Sequence, residues 1–185
     1  MSGVSVTSAG PGTMVADQDA LQVWVEDAGL VLCTPFLPQL FTRMGILTAT
    51  NPTEIAPESR HRAVAVVASL ARGSGSSMAP AMPSLLCGLD VDTAERRPVT
   101  VEPGDITLAE SLLRAVISNW KVISNSSIVV LRETFLQRLG RLERDEDRWT
   151  VHVERKALDV LVDQIPWTFG TIFHRWMKAP IRVIW

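Results

Sequence analysis

Apolar residues recur along this chain with two different periods. From Asp27 to Leu47 the positions Leu30, Val31, Phe36, Leu37, Leu40, Phe41 and Met44 approximate helical spacing, with Pro35 marking a kink or a fresh start and Gly45 a stop. In PESRHRAVAVVASLARG, Pro57 suits a first turn and Gly73 an end, and Val64, Val67, Leu70 and Ala71 form one stripe. A third helix is predicted after Asp105 or Thr107, either of which can cap it; Leu108, Leu112, Leu113, Val116, Ile117 and Trp120 keep close to the 3.6-residue period. A fourth follows Asn125-Ser126-Ser127 and runs through IVVLRETF.

The period then shortens. Residues 136–154, LQRLGRLERDEDRWTVHVE, predict two strands around an acidic turn at Asp145-Glu146-Asp147, with Trp149, Val151 and Val153 on one face. Leu158, Leu161, Val162 and Ile165 return to helical spacing, which Pro166 ends. TFGTIF and IRVIW predict two more strands flanking a turn at Lys178-Ala179-Pro180. GSGSSMAPAMP reads as a flexible loop, and SLLCGLDVD after it is a short apolar element of undecided type. Residues 1–20, rich in Gly, Ser, Thr and Ala, read as a flexible arm before a domain spanning 21–185. Helices first and a helix-interrupted β-meander afterwards predict an α+β fold, with N-terminal helices packed on a C-terminal antiparallel sheet.

Length and composition narrow the function classes. The 185 residues suffice for one domain with a sizeable core. With 18 Lys+Arg against 20 Asp+Glu there is no basic field to draw nucleic acid, so no nucleic-acid partner is expected. Cys33 and Cys87 sit in apolar surroundings and read as buried small hydrophobes in a reducing compartment. The first twenty residues lack the basic start and apolar segment of a secretory signal, so a cytoplasmic location is expected. The longest apolar run, GLVLCTPFLPQLF, contains two prolines and falls short of the ~20 residues of a membrane span.

Groups suited to catalysis are scattered. His61, His152 and His174 show no metal-ligand spacing. His152 and Glu154 share one strand face and could form a general-base pair, but solvated polar surface is the simpler reading. The same holds for Asp159 and Asp163, four apart and expected on a wet helix face. GSGSS lacks the lysine of a phosphate loop, and RLERDED reads as a solvated hairpin tip. Trp167, Trp176 and Trp185 stand nine residues apart; with Trp120 and Trp149 they are the candidate structural or interface residues. The residues alone thus predict a non-enzymatic α+β domain with no catalytic residue, cofactor or metal.

Several blocks carry a resemblance. DAGLVLCTPFLPQLFTRMGIL (Asp27 to Leu47) is similar to NAGLVLLWPFLPRLFERLGLL in the C-terminal domain of the tape measure proteins of contractile injection systems, phage-tail-like particles that drive a tube into a target. SLLCGLDVD contains that family's LLCGL element. Residues 119–185 resemble its order of Asn-Trp, an NTS turn, LRETFLQREG, a W-x-L-x-V-E-x-K strand, LLDQLPW, PWM and a final V-E-W. The chain departs from it at Leu139-Gly140 in place of REG, at Arg175 in place of the proline before WM, and at Ile184 in place of the penultimate acid.

The resemblance implies a structural component without cofactor, whose partners are inner tube, cap or baseplate proteins of the same particle and further copies of itself, released with the particle on lysis. It also raises a question of length. If 21–185 are compact, about twenty residues remain to stretch, reaching on the order of 70 Å. An anchor, plug or assembly adaptor at a tube end is therefore expected ahead of the alternatives: a true tape measure acting through several copies or a partner, or a cargo carried in the lumen.

Overall fold

In the computed structural model, which describes residues 21–74, 81–91, 101–146 and 148–185, helix α2 (Pro57–Arg72) runs through the middle of the helical layer. Pro57 opens it, Glu58 and Arg72 complement its dipole, and Gly73 at φ 71° ends it. The sequence predicted one apolar stripe, yet every residue from Ala63 to Ala71 is buried. Alanines alternate there with valines, and so narrow a helix can be surrounded on all sides.

Its neighbours are short. Residues Ala28–Phe36 form a 3-10 stretch, followed after Pro35 by α1 (Leu37–Arg43), which Gly45 at φ 72° terminates. Gly29 allows the closest approach in this layer, because a Cβ there would overlap the backbone carbonyl oxygen of Phe135. Of the undecided SLLCGLDVD segment only the first three residues are helical: they end α3 (Ala81–Leu86), which also takes in the last residues of the expected loop, and a turn follows at Cys87-Gly88. The expected loop before it falls mostly on residues 75–80, outside the described residues, as does the expected arm at 1–20.

Helix α4 (Pro103–Asn119) begins earlier than predicted. Asp105 does not cap it; its buried carboxylate accepts two 2.7 Å hydrogen bonds from Arg62, whose third donor reaches the Met44 carbonyl. One guanidinium thus fastens α2 to α4 and to the end of α1, and this pairing raises the Arg62 pKa. Ser127 caps α5 (Ile128–Leu131), which continues as a π-turn over Arg132–Leu136. From that turn and its end Arg132 donates to the carbonyls of Ser69 and Leu70, and Gln137 to that of Ala71. The Ser69 carbonyl also takes the Gly73 N–H, and the wider π-turn thus adds side-chain partners to the last-turn acceptors of α2.

The fold is α+β, with a five-stranded sheet: β1 (Leu21–Val25), β2 (Gly140–Asp145), β3 (Arg148–Val153), β4 (Thr171–Ile172) and β5 (Ile181–Ile184), in spatial order β1-β2-β3-β5-β4. The predicted hairpin is β2-β3, with Trp149, Val151 and Val153 buried on its inner face. Three features differ from expectation. The sheet is mixed, since β5 lies parallel to β3 between it and β4. Strand β1, unpredicted, is mostly exposed and owes its conformation to its ladder with β2, where Leu21 faces Arg144. The helix expected over Leu158–Ile165 is two 3-10 turns, Ala157–Val160 and Val162–Gln164. No helix among the described residues is long and apolar enough to cross a membrane.

Candidate functional site

Arg138 follows the π-turn, has no exposed surface, and lies between the helices and the open end of the sheet. Its Nη2 donates to Asp159 Oδ1 at 2.7 Å, its Nε to the Thr134 carbonyl at 2.7 Å, and its Nη1 to the Glu154 carbonyl at 3.3 Å. Asp159 Oδ2 in turn accepts from the Lys156 backbone N–H and from the Trp185 indole Nε1, both at 2.8 Å. The guanidinium also faces the Trp185 ring, 5.7 Å from its centroid. Burial pushes the Asp159 carboxyl up, but the Lys156 N–H, the indole and Arg138 outweigh it, and its pKa is lowered.

This centre corrects the sequence reading. Asp159 was expected beside Asp163 on a wet helix face; it is 2 % exposed, whereas Asp163 is exposed and lies 3.8 Å from Arg155. The bond from Lys156 N–H to the carboxylate winds the segment into a 3-10 turn with Asp159 inward and Leu158 and Val160 outward. Nothing in the apolar spacing signals that inversion. The only sequence trace of Arg138 is a lone cation between apolar Phe135-Leu136 and Leu139.

The tryptophans named from the sequence are tie points between segments distant along the chain. Trp120, fully buried, donates to the Leu161 carbonyl at 3.1 Å and packs on Phe135. Trp167 donates to the Leu32 carbonyl and meets Phe36 edge-on, while Trp176 donates to the Leu86 carbonyl and packs on Phe41. Trp149 fills the inner sheet face beneath Arg144. Trp120, Trp167 and Trp176 each join an apolar body to one hydrogen bond at the rim, which fixes orientation as well as burial. The sixth tryptophan, Trp24, was passed over in the sequence and is 73 % exposed on β1.

The other candidate groups are in separate places. His152 pairs with Glu143 at 3.2 Å on the outer sheet face, not with Glu154, which lies 3.8 Å from Lys156. Cys33 and Cys87 are free and buried, and burial pushes the Cys33 thiol up to about 12 and that of Cys87 further. No group of three or more His, Cys, Asp or Glu side chains among the described residues could hold a metal ion. An open cleft of about 630 Å³ beside Trp167, Phe169 and Trp185 is edged by Arg155 and Asp163, and its aromatic walls suit packing more than proton transfer.

Asp27 and His174 make stability depend on pH with opposite signs. Burial raises Asp27 to about 6 against the opposing pull of Arg72, so its contribution is complete below the unfolded value of 3.8 and lost as pH rises through 6. Burial lowers His174, which donates to the Thr34 backbone and stacks on Trp176; its contribution is complete above 6.5 and lost as pH falls below it. Asp27→Asn should therefore match the wild type near pH 4 and exceed its unfolding free energy by up to roughly 3 kcal/mol at pH 7. Urea titrations at the two pH values test this, and an equal difference at both would refute it.

The family model for the contractile injection system tape measure protein matches residues 7–185. No curated protein and no solved structure matches the chain. The three departures noted in the sequence, Leu139, Arg175 and Ile184, all fall at exposed positions, so none disturbs the tryptophan ties or the buried ion pair. With the match spanning nearly the whole length, the chain belongs to the contractile injection system tape measure protein family.

Proposed function

We propose that this protein is a non-enzymatic structural component of a contractile injection system, acting at a tube end as anchor, plug or assembly adaptor alongside inner tube, cap or baseplate proteins. The observation that carries the reading is the use of the polar chemistry. Arg138–Asp159, Arg62–Asp105 and the rim hydrogen bonds of four tryptophans all fasten one segment of the chain to another. Such a body resists deformation, which suits a part that must hold its shape while a sheath contracts. Size scaling gives the roughly 150 described residues a radius of gyration of about 15 Å, the dimensions of a block. The protein is made in the cytoplasm on this reading and leaves the cell inside the particle.

Deleting the gene in a particle-producing cell should leave particles absent or mis-sized under the electron microscope. Particles of normal length and full activity would reject the proposal. A tube whose length follows residues inserted before Leu21 would instead make the chain a ruler.

A further inference from the structure

β1 and β4 are the two edges of the sheet, and they differ in kind. β4 has two residues, too few to template another strand. β1 has five, LQVWV, with no charge, proline or bulge to blunt it, and among the described residues only one of its edges is paired. Trp24 stands 73 % and Leu21 38 % exposed on this strand. Natural edge strands normally carry a device against pairing, and an edge that lacks one while presenting a bare indole is built to be covered.

We infer that β1 pairs antiparallel with β1 of a second copy of this chain across a twofold axis at Val23, joining two sheets into one. The strand is self-complementary in that register. Leu21 faces Val25 of the other copy, Gln22 faces Trp24, and Val23 faces itself, so no charge opposes a like charge. The two Trp24 side chains lie diagonally on the outer face, within reach of each other at about 7–8 Å between backbones. Val23 and Val25 prolong the apolar inner face, where Val25 is already buried. Head-to-tail pairing of β1 with β4 would make a ring or an open filament, but β4 would leave most of β1 uncovered; the isologous contact uses all five residues. The outcome does not depend on where in a particle the chain sits.

Sedimentation of the purified full chain at graded micromolar concentrations tests this. The wild type should be a concentration-dependent dimer. Trp24→Glu and Trp24→Lys should each keep the wild-type circular dichroism and melting temperature but dimerise at least about thirty-fold more weakly, as for loss of a central indole anchor. Mixing the two variants should restore the dimer, because the new charges then meet with opposite sign. Hydrogen exchange gives an independent reading: amides of residues 21–25 should gain protection as wild-type concentration rises. A wild type that stays monomeric, a threefold or sixfold assembly, or a dimer indifferent to Trp24 would each overturn the inference. Should either Trp24 variant misfold, Gln22→Glu and Gln22→Lys make the same comparison.

Discussion

Asp159→Ala should destabilise the fold by about 3–5 kcal/mol, because it strands the Arg138 guanidinium in a site with no exposed surface. The cost is not the worth of one ion pair. Arg138 keeps its bonds to the Thr134 and Glu154 carbonyls but loses its counter-charge, while the Trp185 indole and the Lys156 N–H lose their acceptor. Urea unfolding should show a midpoint lower by roughly 2 M, given a slope of about 1–3 kcal/mol per M. Asp159→Asn should fall between, since an amide oxygen still accepts but carries no charge. Replacing the pair together, Arg138→Met with Asp159→Leu, should recover most of the loss, because the desolvation of both charges is removed. A single alanine variant within about 1 kcal/mol of wild type would show that Arg138 reaches water without it. The lowered pKa of Asp159 adds a further sign: its contribution is present above 3.8 and lost as pH falls through the lower folded value, and the alanine variant should lack that acid limb.

Removing Ile181 to Trp185 should abolish cooperative unfolding altogether. β5 pairs with β3 on one side and β4 on the other, so its loss detaches the edge and opens the sheet beside Trp149 and Val151. Ile181 and Val183 are buried, each contributing about 1.5–3 kcal/mol, and Trp185 closes the Arg138–Asp159 centre. Together with the broken ladders these losses rival the whole stability of a typical domain, about 5–15 kcal/mol. Differential scanning calorimetry should show no sharp transition for the shortened chain. An unchanged melting temperature would mean that the strand is an appendage.

Local chemistry made some of this protein legible in advance. Pro57 and Gly73 bound α2 as read, because each acts through its own backbone geometry and needs no distant partner. The hairpin was visible for the same reason: alternation at Trp149, Val151 and Val153 encodes a half-buried sheet face whatever lies beyond it. Asp159 and β1 were misread or missed because their states depend on groups far along the chain. A carboxylate four residues from another looks solvated until an arginine twenty-one positions away claims it. LQVWV, at the start of the domain, carries no element of its own until β2 supplies a ladder.

The sequence by itself determined the helices with their own stops, the alternating hairpin, the α+β class and the resemblance to the tape measure family. Only the tertiary structure decided that β5 enters parallel to β3, that Asp159 turns inward onto Arg138, and that Trp24 remains outside. The division has a physical cause. Caps, turns and periodicity are settled by interactions within a few residues, whereas burial of a charge and exposure of an indole depend on which distant segments arrive beside them.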